Sequence, residues 1–181
     1  MALIGVISDT HGRLDQAAYN ALADCGHIIH AGDIGNPAII RELETLAPVT
    51  AVLGNNDFQE YGPSVKRHAR VTIEGVRFLV AHFPHDVDLT GFGSKLNTAG
   101  GFVPDVCIHG HTHLPRLEYG RSVRPASYVL NPGSASLPRA RNPRSIAKIN
   151  IVNTQIRGIW IESLEGELLM SVGDLVDAHG A

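Results

Sequence analysis

Residues 2–12 read ALIGVISDTHG, an almost continuous apolar run followed directly by the polar residues Asp9, Thr10 and His11. A short apolar run of this kind is typical of a strand that is covered on both faces. Apolar residues then recur at helical spacing between positions 14 and 22, which predicts a helix. The segment therefore predicts a strand followed by a helix, with polar side chains at the carboxyl end of the strand.

The same alternation of strand and helix continues as far as residue 53. Residues 28–31 and 49–53 predict two more buried strands. Between them, Asn36-Pro37 predicts a helix that begins with an N-cap and a proline at its first position. The order β-α-β-α-β implies parallel strands joined by right-handed crossovers.

From residue 70 onward the pattern changes mostly to strands. Residues 71–74 and 77–81 predict a hairpin that turns at Glu74-Gly75, and residues 89–99 predict a third helix. Further strands are predicted at residues 106–108, 114–119, 128–130, 146–152 and 156–161, the last two joined by a turn at Asn153-Thr154. Within residues 146–152, apolar and polar side chains alternate, which predicts one face toward the core. Because no repeat or linker is found, residues 1–181 are expected to form a single α/β domain.

The composition narrows the class of protein. Of the 181 residues, 44% are hydrophobic and 18% are charged, which is enough apolar material for a sizeable core. The formal net charge of −3 argues against an extended nucleic-acid surface, which needs many basic contacts. Cys25 and Cys107 stand alone, and no apolar run is long enough to span a membrane. A cytoplasmic protein without membrane contact is expected, and a homo-oligomer is compatible with the sequence.

Polar residues with metal-binding side chains follow five of the predicted strands. They occur in Asp9-Thr10-His11-Gly12, Gly32-Asp33, Gly54-Asn55-Asn56-Asp57, the single residue His82, and Gly110-His111-Thr112-His113. Ligands collect at the carboxyl ends of parallel strands in open α/β sheets. We therefore expect these five strand ends to converge on one place.

The candidate metal ligands are Asp9, His11, Asp33, Asn55, His82, His111 and His113. Residues two apart in an extended chain point the same way, so Asp9 with His11, and His111 with His113, can each aim a pair of donors. Seven ligands are too many for one ion and fit two divalent ions about 3.5–4 Å apart, bridged by a carboxylate and a hydroxide. Oxygen and nitrogen donors suit Mn²⁺ first, with Fe, Zn or Ni as alternatives. Such a centre would carry a charge of about +1, which favours a phosphate substrate.

Two more histidines lie in apolar strand context, His30 and His109. We predict that they are buried, or that they orient a metal ligand by hydrogen bonding rather than binding metal themselves.

At these residues the chain resembles the calcineurin-like metallophosphoesterase superfamily, whose signature runs D-x-H, GD, GN-x-[DE], H and GH-x-H. All five blocks occur in order between Asp9 and His113. Together with the later Asn131-Pro132-Gly133-Ser134, they are similar to the small YfcE-type phosphodiesterases, which are related to the retromer subunit of the same fold. The resemblance implies a four-layer αββα sandwich, with two mixed β-sheets flanked by helices.

The resemblance also implies which residues share each metal ion. One ion takes Asp9, His11, Asp33 and His113, and the other takes Asp33, Asn55, His82 and His111. Asp33 bridges the two ions. The implied activity is metal-dependent hydrolysis of a small, nucleotide-like phosphate ester, with a phosphodiester as the preferred substrate and the bridging hydroxide as nucleophile.

The sequence departs from the family pattern at two positions. Asn56 stands where many members have a histidine that acts as general acid, and Phe83 stands where a glycine is common. The first departure favours diesters or good leaving groups. Asn56 is predicted to be a catalytic residue that hydrogen-bonds a phosphate oxygen, and Asp57 to anchor the loop that presents Asn55. His85 is either a replacement proton donor or a surface histidine.

Several functional alternatives stay open at this point. The same site would serve a phosphomonoesterase, and a relative of the retromer subunit could be a non-catalytic scaffold that binds proteins. A serine hydrolase that uses Ser134 lacks the G-x-S-x-G motif, so a turn is the simpler interpretation. The basic residues Arg139, Arg141 and Arg144 either contact an anionic substrate or belong to a solvated loop.

Overall fold

Two mixed β-sheets form the centre of the computed structural model, which describes residues 1–58, 61–89 and 101–175. The strands are β1 (Ala2–Ile7), β2 (His27–His30), β3 (Val49–Ala51), β4 (His68–Ile73), β5 (Val76–Ala81), β6 (Val106–Ile108), β7 (Arg116–Tyr119), β8 (Tyr128–Asn131), β9 (Ser145–Val152), β10 (Gln155–Ser163) and β11 (Leu168–Gly173). The first sheet has the order β11-β10-β9-β1-β2-β3, and the second has the order β4-β5-β6-β8-β7.

Each sheet contains three neighbouring parallel strands. In the first sheet β1, β2 and β3 are parallel, as the β-α-β-α-β pattern predicted. In the second sheet β5, β6 and β8 are parallel, and the other pairs in both sheets are antiparallel. The hairpin turns at Glu74-Gly75 and Asn153-Thr154 are confirmed, with positive φ at all four residues, as short hairpin turns require.

The described residues contain three short α-helices, α1 (Gln16–Ala21), α2 (Pro37–Leu43) and α3 (Pro84–Val87), and a 3-10 helix at Gly120–Val123. The Asn36 side chain accepts a hydrogen bond from the Ala38 backbone N–H at 2.9 Å, which confirms the predicted N-cap before Pro37. No helix in the described parts of the chain has the length and apolar character needed to cross a membrane.

The layers follow from three clusters of buried apolar residues. The largest lies between the two sheets and includes Val6, Ile29, Phe78 and Ile108. A second packs α1 and α2 on the outer face of the first sheet, and a third packs α3 on the outer face of the second. The predicted αββα sandwich is thus confirmed, although α3 supplies only a single turn to the last layer.

Some details differ from the sequence-based expectations. Strand β7 begins at Arg116 rather than at residue 114. Strand β11, which pairs with β10 at the edge of the first sheet, was not predicted. On β9 the core-facing alternation is correct, but Lys148 on the opposite face is also buried, because its ammonium pairs with Asp24 at 3.1 Å. The helix predicted at residues 89–99 lies outside the described residues, except for Leu89.

Candidate metal centre

The ends of five strands meet at one edge of the sandwich, as the sequence predicted. β1, β2 and β3 of the first sheet lead into the segments that hold Asp9, Asp33 and Asn55. β5 and β6 of the second sheet lead into His82 and the segment with His111 and His113. All five strands belong to the parallel part of their sheet, so their carboxyl ends face the same side. The candidate ligands therefore come from both sheets.

One group of four candidate ligands is compact. Single ligand atoms of Asp9, His11, Asp33 and His113 all lie within 4.8 Å of one another. His11 Nε2 is 3.2 Å from His113 Nε2 and 3.9 Å from Asp9 Oδ1. Asp9, Asp33 and His113 are buried, whereas His11 is partly exposed. The grouping agrees with the ligand set that the family resemblance implied for one ion.

The remaining candidates form a second group around Asn55. Its side-chain oxygen lies 3.2 Å from His82 Nε2 and 2.9 Å from His111 Nδ1. Asp33 reaches both groups, because its Oδ1 is 3.5 Å from His82 Nε2 and its Oδ2 is 3.8 Å from His11 Nε2. Asp33 is therefore the candidate ligand that the two groups share.

The protonation of the histidines matches a cation site. His82 Nδ1 lies 2.8 Å from the Ala31 carbonyl oxygen, and His113 Nδ1 contacts the Leu137 carbonyl. Carbonyls accept hydrogen bonds, so each Nδ1 carries a proton and each Nε2 is the ring atom directed toward the centre, where it can bind a cation once it is deprotonated. His113 Nε2 is 3.1 Å from Asp9 Oδ1, yet that buried oxygen has no hydrogen-bond partner among the described residues. Electron-rich atoms that face one another in this way fit a bound cation.

The candidate ligands have unusual backbone conformations. Asp9, His11, Asp33, His111 and His113 all have positive φ, between 47° and 67°. This region is unfavourable for residues with a side chain, and it occurs mainly where function requires a particular geometry. The segments are therefore not extended, and the expectation that His111 and His113 point the same way is wrong. His113 joins the Asp9 group, whereas His111 turns toward Asn55.

Asp57 holds two ligand segments together. Its carboxylate accepts hydrogen bonds from the backbone N–H groups of Gly54 and Gly35, both at 2.8 Å, and of Ile34 at 3.0 Å. The loop that follows β3 is thereby fixed to the loop that follows β2, which agrees with the anchoring predicted for Asp57.

Asn56 also lies at the centre, but its side chain contacts another protein group. The Asn56 amide donates a hydrogen bond to Asp33 Oδ2 at 2.6 Å, and its backbone N–H donates to Asp33 Oδ1 at 2.9 Å. Burial would raise the pKa of Asp33, but hydrogen bonds from His82 and Asn56 outweigh it and hold that pKa well below its usual range. The predicted contact between Asn56 and a phosphate oxygen stays a prediction.

The three arginines near residue 140 have different surroundings. The Arg144 guanidinium forms ion pairs with Asp15 and Glu165, so it has a structural role. Arg139 is exposed, and its charge contributes to lowering the pKa of His111, after the larger effects of burial and His82. The charge of Arg139 thus acts on the candidate ligand His111, and Arg141 is exposed.

Comparison with known proteins agrees with this geometry. The model of the calcineurin-like phosphoesterase superfamily domain matches residues 2–154. The chain belongs to this superfamily. A probable metallophosphoesterase of Methanothermobacter thermautotrophicus is 40% identical over 147 residues, which cover 78% of this chain and 81% of that protein.

Solved structures with the same fold are more distant in sequence. The phosphoesterase YfcE from E. coli aligns with a TM-score of 0.67 and 22% identity, over 94% of this chain and 98% of that one. Vps29 from Entamoeba histolytica, solved in complex with Zn²⁺, aligns with a TM-score of 0.71 and 20% identity, over 94% and 98% of the chains. At this low sequence identity, the similarity to the two solved structures establishes the fold of this chain and nothing further.

Several serines support the candidate ligand Asp9, a role that the sequence analysis assigned to none of them. Ser8 donates a hydrogen bond to Asp9 Oδ2 at 2.6 Å. The Ser134 hydroxyl is fully buried and donates to the Asp9 carbonyl at 2.8 Å, which gives it a structural role in place of a nucleophilic one. Ser136 donates to the same carbonyl at 2.9 Å. The Asn131-Pro132-Gly133-Ser134 motif was the feature of the sequence that could have indicated this contact with Asp9.

His30 and His109 are buried, as predicted. His30 Nδ1 accepts a hydrogen bond from the Gly32 backbone N–H, and its Nε2 lies 3.0 Å from the Thr10 hydroxyl. Thr10 stands between Asp9 and His11 and donates to the Ile34 carbonyl at 2.9 Å. His30 therefore stabilises the segments that carry ligands without facing the centre itself.

Acid is expected to destabilise the protein through His30. Burial lowers the pKa of His30 to about 4, whereas an unfolded histidine titrates near 6.5. Between these values the unfolded chain binds more protons, so the free energy of unfolding falls as the pH decreases from about 6.5 to 4, by roughly 3 kcal/mol in total for this group. The measurement is urea denaturation of metal-free protein at several pH values.

The variant His30→Asn isolates this contribution, because it cannot take up the proton. Its free energy of unfolding is expected to depend less steeply on pH between 6.5 and 4, by up to about 1.4 kcal/mol per pH unit. His85→Asn, at an exposed position, is the control and keeps the wild-type slope. Equal slopes for His30→Asn and wild type would show that His30 does not titrate as stated.

Proposed function

We propose that this phosphoesterase hydrolyses phosphodiesters with the help of two divalent metal ions, of which Mn²⁺ is the first candidate and Fe, Zn and Ni are alternatives. Asp9, His11, Asp33 and His113 would hold one ion. Asp33, Asn55, His82 and His111 would hold the other. The observation that carries the proposal is the position of Asp33, whose two carboxylate oxygens face histidines of different groups.

When bound by these residues, divalent ions would supply a water of lowered pKa as the nucleophile and positive charge that stabilises the negative charge developing on the phosphate. The residues of the chain position this chemistry. Asn56 fixes the bridging carboxylate through two hydrogen bonds, and its exposed position also lets it meet a phosphate oxygen. Arg139 adds a positive charge on the side of His111, which favours an anionic substrate.

The preference for a diester rests on the residue at position 56. A carboxamide cannot donate a proton to a leaving group as an acid does, and the Asn56 amide is already bound to Asp33. A phosphodiester with a good leaving group depends least on such a proton. A small, nucleotide-like ester is the substrate class that we propose.

The cellular compartment is proposed from the cysteines. Cys25 and Cys107 are both buried and free, and burial raises the pKa of each thiol to about 12. Inert, unpaired thiols are typical of a reducing environment, so we propose the cytoplasm.

The test is a series of assays on metal-stripped protein reconstituted with Mn, Ni, Zn, Fe or Mg. Bis(p-nitrophenyl) phosphate is expected to be hydrolysed with a higher kcat/KM than p-nitrophenyl phosphate, and two ions per chain are expected by elemental analysis. A preference for the monoester would replace the diester proposal with a phosphomonoesterase. Hydrolysis of neither compound, with metal bound, would contradict an enzymatic role and favour a protein-binding scaffold.

A further inference from the structure

Two aromatic rings, those of Phe83 and His85, lead outward from the second group of candidate ligands. The Phe83 ring packs edge-on against the His111 ring, with centroids 4.6 Å apart and planes at 61°. The same ring contacts His82 at 5.4 Å. Phe83 follows His82 directly at the end of β5, so the backbone fixes it beside this candidate ligand.

His85 continues the row toward solvent. Its ring stacks on Phe83, with centroids 5.2 Å apart and planes at 26°, while its side chain remains 74% exposed. The His85 ring also faces Asp86, whose carboxylate is 3.5 Å from its Nε2. Phe83 is half-buried, so Phe83 and His85 together present aromatic surface to the solvent close to His111.

We propose that Phe83 and His85 form a subsite that binds a planar ring of the substrate, either a nucleobase or an aryl group, beside the metal centre. The inference rests on the proposed function and names its substrate class. If the candidate ligands bind the phosphate through metal ions, the organic group of the substrate extends outward from the metal centre. A flat ring stacks on aromatic side chains more favourably than a saturated group does.

The test compares ligands that differ only in the organic group, using calorimetry on the Mn²⁺-loaded protein. Phenylphosphonate is expected to bind about fivefold more tightly than cyclohexylphosphonate, which has a similar size but no aromatic ring. Thymidine 5′-monophosphate is expected to bind about tenfold more tightly than 2-deoxyribose 5-phosphate. A preference in the first pair alone assigns an aryl group, and a preference in both pairs assigns a nucleobase as well.

Variants separate stacking from a structural role. Phe83→Leu keeps an apolar side chain and is expected to bring both affinity ratios close to one. His85→Ala, which removes the outer ring, is expected to lower each ratio about threefold, whereas His85→Phe keeps the ratios because it keeps a ring. A proton-donating role for His85 would instead show as loss of hydrolysis in His85→Phe without any change in the ratios.

Certain outcomes overturn the subsite. Equal affinities for the two ligands of each pair in the wild type would overturn it. A Phe83→Leu variant that binds all four ligands more weakly by the same factor would also overturn it, because Phe83 would then act only by packing on His111. If wild type hydrolyses neither p-nitrophenyl compound but still shows the binding preferences, the proposed function fails and the subsite stands. Metal content is measured in every variant.

Discussion

The variant Asp33→Asn is expected to lose about a thousandfold or more in kcat/KM for bis(p-nitrophenyl) phosphate, and its metal content is expected to fall from two ions per chain to one or fewer. Asp33 is the residue whose oxygens face both ligand groups, at 3.8 Å from His11 Nε2 and 3.5 Å from His82 Nε2. An amide has one oxygen that can bind a cation and no net charge, so it cannot neutralise two ions at once. Elemental analysis and steady-state kinetics measure the two effects.

A matched control is Asp105→Asn, which removes a carboxylate outside the centre. Asp105 pairs with Arg77 at 2.8 Å, and both side chains are partly exposed, so the variant is expected to keep its metal and its activity. Circular dichroism should show that Asp33→Asn is folded. Unchanged metal content and hydrolysis in Asp33→Asn would mean that the mechanism with two ions is wrong.

The second large effect is expected from Gly54→Ala. A Cβ atom at position 54 would lie 2.1 Å from Asp33 Oδ1 and 2.3 Å from the Asp33 backbone nitrogen, both far inside van der Waals contact. The backbone at Gly54 has no positive φ, so the requirement for glycine is space. The added methyl group must push the loop of Asn55 away from Asp33. We expect a loss of about 3 kcal/mol in the free energy of unfolding and at least a hundredfold loss in kcat/KM.

Gly26→Ala provides the comparison for this substitution. A Cβ atom at Gly26 would lie 3.9 Å from the Leu3 carbonyl oxygen, which is ordinary van der Waals contact. Its free energy of unfolding is expected to stay within about 0.5 kcal/mol of wild type, with normal metal content. If Gly54→Ala behaved like Gly26→Ala, the close approach of the two loops would not be required for the metal centre.

The sequence was most informative where chemistry depends on local order along the chain. A polar residue directly after a buried parallel strand must lie at the carboxyl edge of its sheet, so Asp9, Asp33 and Asn55 could be placed together in advance. His82 follows β5 in the same way. The parallel arrangement of β1, β2 and β3 also followed from periodicity, because crossover helices leave parallel pairing as the simple solution.

Residue spacing failed where the backbone leaves regular structure. The rule that residues two apart share a direction holds for extended chain, but His111 and His113 have φ values of 67° and 59°. Their side chains therefore separate toward different ligand groups. Such conformations depend on contacts from distant segments, such as the hydrogen bond from the His111 backbone N–H to Asp9 Oδ2 at 3.1 Å.

The sequence by itself determined which residues are candidate metal ligands and at which end of the strands they lie, since both follow from residue type, periodicity and local order. Only the tertiary structure decided that Asp33 faces both groups, that Asn56 binds Asp33, and that Phe83 and His85 extend the row of rings from His111. The contact of Asp33 with His82 joins loops of the two sheets, and the contacts of Asp33 with Asn56 and of Phe83 with His111 join separate loops of one sheet. Their geometry is set by how segments that are distant in the chain pack together, and no pattern within a single segment contains that information.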